Sequence, residues 1–119
     1  MSHKTLTIFL TAAPYSGGST STAMRLAKAA LDAGHRVNLF ASADGIYGFT
    51  VGHHVKGVPN AEAGFRLLIE RGLRAELCGS CLAIRGVRRE QLMPGAEPSS
   101  LSGLFRLIRE SDVVLTVGN

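Results

Sequence analysis

A short apolar stretch, a glycine-bearing loop, a helix-spaced segment, a glycine and a second apolar stretch follow one another between Lys4 and Ala41. That order restricts the fold more than any other feature of the chain. Leu6, Ile8, Phe9 and Leu10, interleaved with threonines, read as a buried strand over Lys4 to Thr11. Ala12 to Gly18 is a loop by its Pro14, Gly17 and Gly18. A helix is predicted from about Ser21, with Met24, Leu26, Ala27, Ala30 and Leu31 at helical spacing and Gly34 placed to end it. Val37, Leu39, Phe40 and Ala41 make the second strand. Strand, helix, strand joined in this way is a βαβ unit, which demands a parallel sheet.

The rest of the chain continues the alternation. Ser42 to Pro59 is polar, glycine-rich and without a period, and reads as a long loop containing Asp44, Tyr47 and the pair His53-His54. Asn60 is placed to cap a helix running to about Arg71. Leu73 to Leu77 is a short third strand, and Cys81 to Ile84 has room for one or two helical turns. Val87 to Leu92 reads as a further short helical piece, and Met93 to Pro98 as a loop. Ser99 or Ser100 caps a helix to about Glu110, with Leu101, Leu104, Phe105 and Ile108 as its apolar face. Asp112 to Val117 is the last clear strand, with Val113, Val114, Leu115 and Val117 giving it the hydrophobic continuity of a central parallel strand. The expectation is one domain over residues 1–119, a three-layer α/β/α sandwich with a mainly parallel sheet of four to five strands. Sites in such sheets form beyond the C-terminal strand ends, where the loops carrying Tyr15, Asp44 with Tyr47, and Cys78 would meet.

Composition excludes several roles. No apolar run approaches the ~20 residues of a membrane span. Leu6 to Leu10 is too short for the core of a signal peptide, so the protein reads as cytoplasmic and off the membrane. The net charge is +4, yet the basic residues form no long run and the chain has no Trp. The sequence therefore offers few stacking platforms for nucleic acid, and none is expected as a partner. The first loop lacks the glycine spacing of a nucleotide fingerprint.

The chain's two cysteines lie three apart in Glu76-Leu77-Cys78-Gly79-Ser80-Cys81-Leu82-Ala83-Ile84-Arg85-Gly86. In a reducing compartment such a pair favours thiol chemistry or a metal over a structural disulfide. A helix start just after Cys78, with Arg85, Arg88 and Arg89 following, would favour the thiolate. The pair could close a disulfide, bind a metal or pass sulfur as a persulfide. A metal site wants about four ligands, and His53 and His54, being adjacent, face different ways; neither a metal nor another cofactor is expected. In a thioredoxin-like redox site the motif would follow the first central strand, with a later proline opposite it. Here it follows a complete βαβα unit, and none of Pro14, Pro59, Pro94 and Pro98 clearly opens a strand. Plain burial of two free cysteines is the remaining alternative.

The order of elements and the run Cys78 to Gly86 resemble the DsrE/DsrF-like family, which includes the TusD sulfur-relay subunit. Cys78 matches the family's sulfur-accepting cysteine after the third strand, and Arg85-Gly86 its Arg-Gly. Pro14-Tyr15-Ser16-Gly17 resembles the family's first loop, and Asp44-Gly45-Ile46-Tyr47 the segment after its second strand. The chain departs from TusD-like members at Cys81, a position where many stand-alone members carry the second cysteine, and at Gly48, where Asn is common. The resemblance implies a small α/β fold, sulfur transfer through a cysteine persulfide, and a trimeric or hexameric homo-oligomer working with a sulfur-donor or sulfur-acceptor protein.

On that reading the protein is a sulfurtransferase or sulfur carrier in which Cys78 takes the outer sulfur of a donor persulfide. Cys81 resolves it or shares it, and Arg85 steadies the charge. Tyr15 and Tyr47 either donate hydrogen bonds in the pocket or pack beneath a loop. Asp44 is read as a turn former before Gly45 rather than a base, His53-His54 as a solvated pair, and Arg106 and Arg109 as the wet face of the last helix. Exposure of Ile46, Phe49 and Val51 would be a reason to oligomerise. The alternatives are an oligomeric binding module without catalysis, or a dithiol-disulfide redox protein using the same two cysteines.

Overall fold

In the computed structural model, which describes residues 3–118, the chain forms five strands. They are β1 (Thr5–Leu10), β2 (Arg36–Ala41), β3 (Arg74–Cys78), β4 (Ala96–Ser99) and β5 (Val113–Val117). The helices are α1 (Ser19–Asp32), α2 (Ala61–Glu70), α3 (Gly79–Ile84) and α4 (Leu101–Glu110). All pairings are parallel, in the order β4-β3-β2-β1-β5. The chain steps outward from β1 to β4, then returns to the far flank of β1, so the topology reverses beside the loop that leaves β1.

Register decides which side chains share a face. Ile8 pairs with Leu39 and Leu10 with Ala41; Leu39 and Ala41 in turn pair with Ala75 and Leu77. Because side chains alternate along a strand, these residues point one way. They close one apolar core with Ala23 and Ala27 of α1 and Ala61, Phe65 and Leu68 of α2. The opposite face lies under α4 and is mixed. Phe9 stacks on Phe40 with centroids 6.0 Å apart, and Asn38 Nδ2 donates to Thr7 Oγ1 at 3.2 Å. Glu76 is buried there, but its carboxylate accepts the Ser99 hydroxyl at 2.6 Å and pairs with Arg74 at 2.9 Å and Arg106 at 3.5 Å. A buried charge persists when it is paired and hydrogen-bonded in this way. Gly103 lets α4 lie over this group, since a Cβ would collide with the Ser99 hydroxyl.

The caps follow the sequence. Asn60 Oδ1 accepts the Ala63 N–H at 3.0 Å, and Ser100 Oγ accepts the Gly103 N–H at 3.2 Å. Each fills one of the free amides of a first turn.

Several expectations need correcting. The segment after β2 is not irregular from its start: Ala43–Phe49 forms a 3₁₀ segment. Its Ile46 and Phe49 are fully buried, with Phe49 stacked on Phe65 at 4.2 Å, so of the three apolar residues expected outside only Val51 is exposed. The Met93–Pro98 stretch contains β4, an edge strand that tolerates Pro98 because one side of its backbone needs no partner. Val87–Leu92 holds a 3₁₀ turn over Arg89–Gln91. β5 is an edge rather than a centre, and its Val113, Val114 and Leu115 are exposed. The apolar face read for α4 is split: Gly103 and Leu107 are buried, whereas Leu101, Phe105 and Ile108 are exposed. Among the described residues no helix is long and apolar enough to cross a membrane.

Candidate functional site

β3 delivers Cys78 to the C-terminal edge of the sheet, where the chain turns at once into α3. The Cys78 sulfur accepts the Cys81 N–H at 3.4 Å, so the cysteine caps the short helix it precedes. Gly79 is required at this turn, because a Cβ would come within 2.9 Å of the Ser99 carbonyl at the end of β4. One helical turn on, Cys81 directs its sulfur to the end of β2. The Ala43 N–H donates to Cys81 Sγ at 3.2 Å, and Ser42 Oγ lies 3.5 Å away. Ala43 holds a left-handed backbone, φ +51°, a conformation that costs a residue with a Cβ about 1 kcal/mol or more. The turn is pinned on either side. The Ser42 N–H donates to the Leu10 carbonyl at 2.9 Å, and Gly45 packs so closely on that carbonyl that no Cβ fits. Both cysteines are free and half-buried.

Arg85 closes the arrangement. Its Nε lies 2.8 Å from Asp44 Oδ1, and a terminal guanidinium nitrogen donates to the Cys81 carbonyl at 3.3 Å. The bond to Asp44 strengthens the guanidinium's hold on its proton, against a smaller opposing effect of burial. Burial pushes the Cys81 thiol up. The neighbouring Cys78 thiol, the Ser42 hydroxyl, the Ala43 N–H and the Arg85 charge together outweigh it and hold Cys81 below the ordinary thiol value. The thiolate is the reactive form of cysteine, so the arrangement favours nucleophilic sulfur chemistry. Asp44, read as a turn former, also fixes Arg85. Arg88 and Arg89 do not join this group: they pair with Glu90 at 3.3 Å and Glu97 at 2.9 Å.

The two tyrosines fare differently. Tyr47, on the 3₁₀ segment, lies near the Arg85 guanidinium. Tyr15 turns elsewhere. It is itself left-handed, φ +71°, and its hydroxyl accepts the Ala61 N–H at 2.9 Å while lying 2.7 Å from His53 Nδ1. His53 Nε2 in turn lies 3.0 Å from the Tyr47 carbonyl and 3.1 Å from Thr50 Oγ1. Tyr15 and His53 therefore tie the first loop to the second and to α2, and His53 is not the solvated residue expected from its neighbourhood. His54 is exposed. Among the described residues, no three His, Cys, Asp or Glu gather where a metal could be held.

Ser42 and Ala43 were not legible as site residues. The sequence signal was limited to a turn after β2, and what places them is a left-handed backbone at an alanine. Cys78, Cys81, Arg85 and Asp44 do come together, from β3, α3 and the 3₁₀ segment.

Known proteins place this geometry in context. The family model described as the DsrE/DsrF-like family matches residues 4–117. The uncharacterized protein MJ0989 of Methanocaldococcus jannaschii is 34% identical over 110 residues, covering 92% of this chain and 96% of its own. The uncharacterized protein MK0008 of Methanopyrus kandleri is 32% identical, covering 92% and 91%. The crystal structure of the ychN protein from E. coli superposes with a TM-score of 0.88 at 25% identity, over 97% of this chain and 99% of that one. MTH1491 of Methanobacterium thermoautotrophicum, a protein of unknown function, shares the fold with a TM-score of 0.72 at 14% identity, over 97% and 99%. The match to the family model over nearly the whole chain, with two relatives above 30% identity, shows that this protein belongs to the DsrE/DsrF-like family.

Proposed function

We propose that this protein accepts sulfur as a persulfide on Cys78 and passes it on, acting as a sulfurtransferase or sulfur carrier. The observation that carries the reading is the pairing of two half-buried thiols on one helical turn, one of them set among an N–H, a hydroxyl and an arginine. Membership of a family with sulfur-relay members supports the same chemistry. In the loading step Cys78 Sγ attacks the outer sulfur of a donor persulfide; the new S–S bond forms as the donor's own S–S bond breaks, and the donor leaves as a thiol. The Ala43 N–H, the Ser42 hydroxyl and Arg85 favour negative charge on the Cys81 sulfur.

Intact mass after incubation with a low-molecular-weight persulfide tests this. Wild type should gain ~32 Da per sulfur, reversibly with a reductant, and Cys78→Ser should not. Equal loading of the two would overturn the assignment to Cys78. A loss of ~2 Da would instead mark an intramolecular disulfide and a redox protein, and no change at all a binding module with structural cysteines.

We also propose a homo-oligomer, on a surface other than the one the sequence suggested. Leu101, Phe105 and Ile108 form an exposed stripe on α4, and Val113, Val114 and Leu115 of the β5 edge are exposed as well. Exposed apolar side chains clustered on one helix face are where protein partners bind.

A further inference from the structure

The roles of the two cysteines are unequal, and the inequality lies in what surrounds each sulfur. Cys81 Sγ faces the Ala43 N–H and the Ser42 hydroxyl, with the Arg85 guanidinium bonded to its own carbonyl. Cys78 Sγ faces the Cys81 N–H. Cys81 also packs against the apolar core, which fixes where its sulfur points. Ala43 reaches its position through a left-handed backbone, and the turn is locked to the Leu10 carbonyl. An orphan N–H aimed at a sulfur by such a backbone is a preorganised anion site of the kind that enzymes use for developing charge. Backbone strain maintained by its surroundings points to function at that spot.

We infer that Ser42 and Ala43 form a cradle for negative charge on Cys81, and that this makes the protein a releaser of sulfide rather than a simple store of sulfur. Cys78 from the end of β3 and Arg85 from the end of α3 are the titratable and charged groups that act on Cys81, and Asp44 on the 3₁₀ segment pairs with Arg85.

The sequence of steps balances, and its second half rests on the persulfide reading given above. The Cys81 thiolate takes the Cys78 proton as Cys78 Sγ attacks the outer donor sulfur, and returns that proton to the departing donor thiolate. Cys81 is again a thiolate, now beside a Cys78 persulfide. It attacks Cys78 Sγ, the S–S bond of the persulfide breaks, and hydrosulfide leaves. The product is a Cys78–Cys81 disulfide, which an external dithiol must reduce, becoming a disulfide itself. The sulfur has then been reduced from the persulfide to the sulfide level at the dithiol's expense. The supplying reaction is therefore one that makes persulfides, and the consuming reaction takes up free sulfide.

Thiolate absorbance near 240 nm, followed against pH on reduced full-length protein, reads the charge directly. The low-pH thiolate transition of wild type should disappear in Cys81→Ser; in Cys78→Ser, which loses the neighbouring thiol, it should remain but lie at higher pH, and it should move higher still when Ser42→Ala is added. Persistence in Cys81→Ser, or no movement with Ser42→Ala, overturns the cradle. Circular dichroism of each variant confirms that it is folded. In a separate arm, persulfide-loaded wild type should release one sulfide per loaded chain, detected as methylene blue, while Cys81→Ser keeps its ~32 Da adduct at least tenfold longer. Equal retention by both overturns the release step. Failure of wild type to load would remove the persulfide reading while leaving the thiolate titration to decide the cradle, so the two fail separately.

Discussion

Arg85 divides its hydrogen bonds between the Asp44 carboxylate and the Cys81 carbonyl, and its charge also acts on the Cys81 thiol. Its guanidinium lies 2.8 Å from Asp44 and donates to the Cys81 carbonyl at 3.3 Å. Asp44 draws positive charge away from the thiol; without it, Arg85 would act on the sulfur alone. In the Cys78→Ser background, iodoacetamide alkylation of Cys81 near pH 6 should slow several-fold with Arg85→Gln and quicken with Asp44→Asn. Both changes should shrink in high salt, because Asp44 is largely exposed and the pair is screened. An unchanged rate in Arg85→Gln would remove the guanidinium from the site. At this scale the sequence was informative within one stretch: Cys78, Cys81 and Arg85 lie within a single short helix and its flanks. Ser42 and Ala43 stand 39 and 38 residues from Cys81. No local pattern marks them, because what recruits them is the parallel register that sets the end of β2 beside the end of β3.

The elements that were hardest to read are those whose character depends on what lies outside them. β4 has four residues and contains Pro98, so its composition is that of a loop; β3 makes it a strand by pairing Ala75 with Ala96 and Leu77 with Pro98. β5 has the composition of a buried strand and is an edge. α4 carries more apolar residues than one face needs, so period alone could not tell the buried set from the exposed one. α2 was legible because its cap, period and terminal glycine agree, and α1 through its period and terminal glycine, since Gly18 begins it without a side-chain cap. The irregular segment from Val51 to Pro59 is held by contacts no pattern announces. Glu62, in the first turn of α2, accepts the Gly52 N–H at 3.0 Å and the His53 N–H at 2.9 Å through one oxygen. The His53 N–H is the main cause of a carboxyl held below its ordinary value; burial opposes it, and Arg66 and the Gly52 N–H reinforce it. A depressed carboxyl stabilises the fold fully above its unfolded value, near 4.5, and that contribution is lost as pH falls through the folded value. Glu62→Gln should therefore cost about 1 kcal/mol at pH 7 by urea unfolding. The gap from wild type should stay constant to about pH 5.5 and narrow below about 4.5. A gap that widens in acid would show that the carboxylate is not what holds the segment.

The whole molecule treats its two sheet edges differently. β4 is short and carries Glu97 and Pro98, features that discourage another strand from adding to it. β5 has neither device: it runs Val113-Val114-Leu115-Thr116-Val117, and elsewhere α4 exposes Leu101, Phe105 and Ile108. An unprotected edge and an apolar helix face are liabilities for a monomer and assets for an assembly, which is the ground for the homo-oligomer proposed above. Phe105 lies in the middle of the stripe and is 53% exposed, so a charge there should disturb the fold little, within about 0.5 kcal/mol. It would, however, be buried without a partner in any interface built on α4. Wild type should then scatter light as a multimer at micromolar concentration, and Phe105→Glu as a monomer with the same circular dichroism. The Cys81 titration of the variant should match wild type, because the cradle of Ser42 and Ala43 is built within one chain. A wild-type monomer would mean that β5 and α4 face solvent or a different protein. A multimer that survives Phe105→Glu would move the contact away from α4. A monomeric variant whose thiolate transition has also moved would show that the neighbouring copy reaches the sulfur site, joining assembly to chemistry in a way that one chain alone does not require.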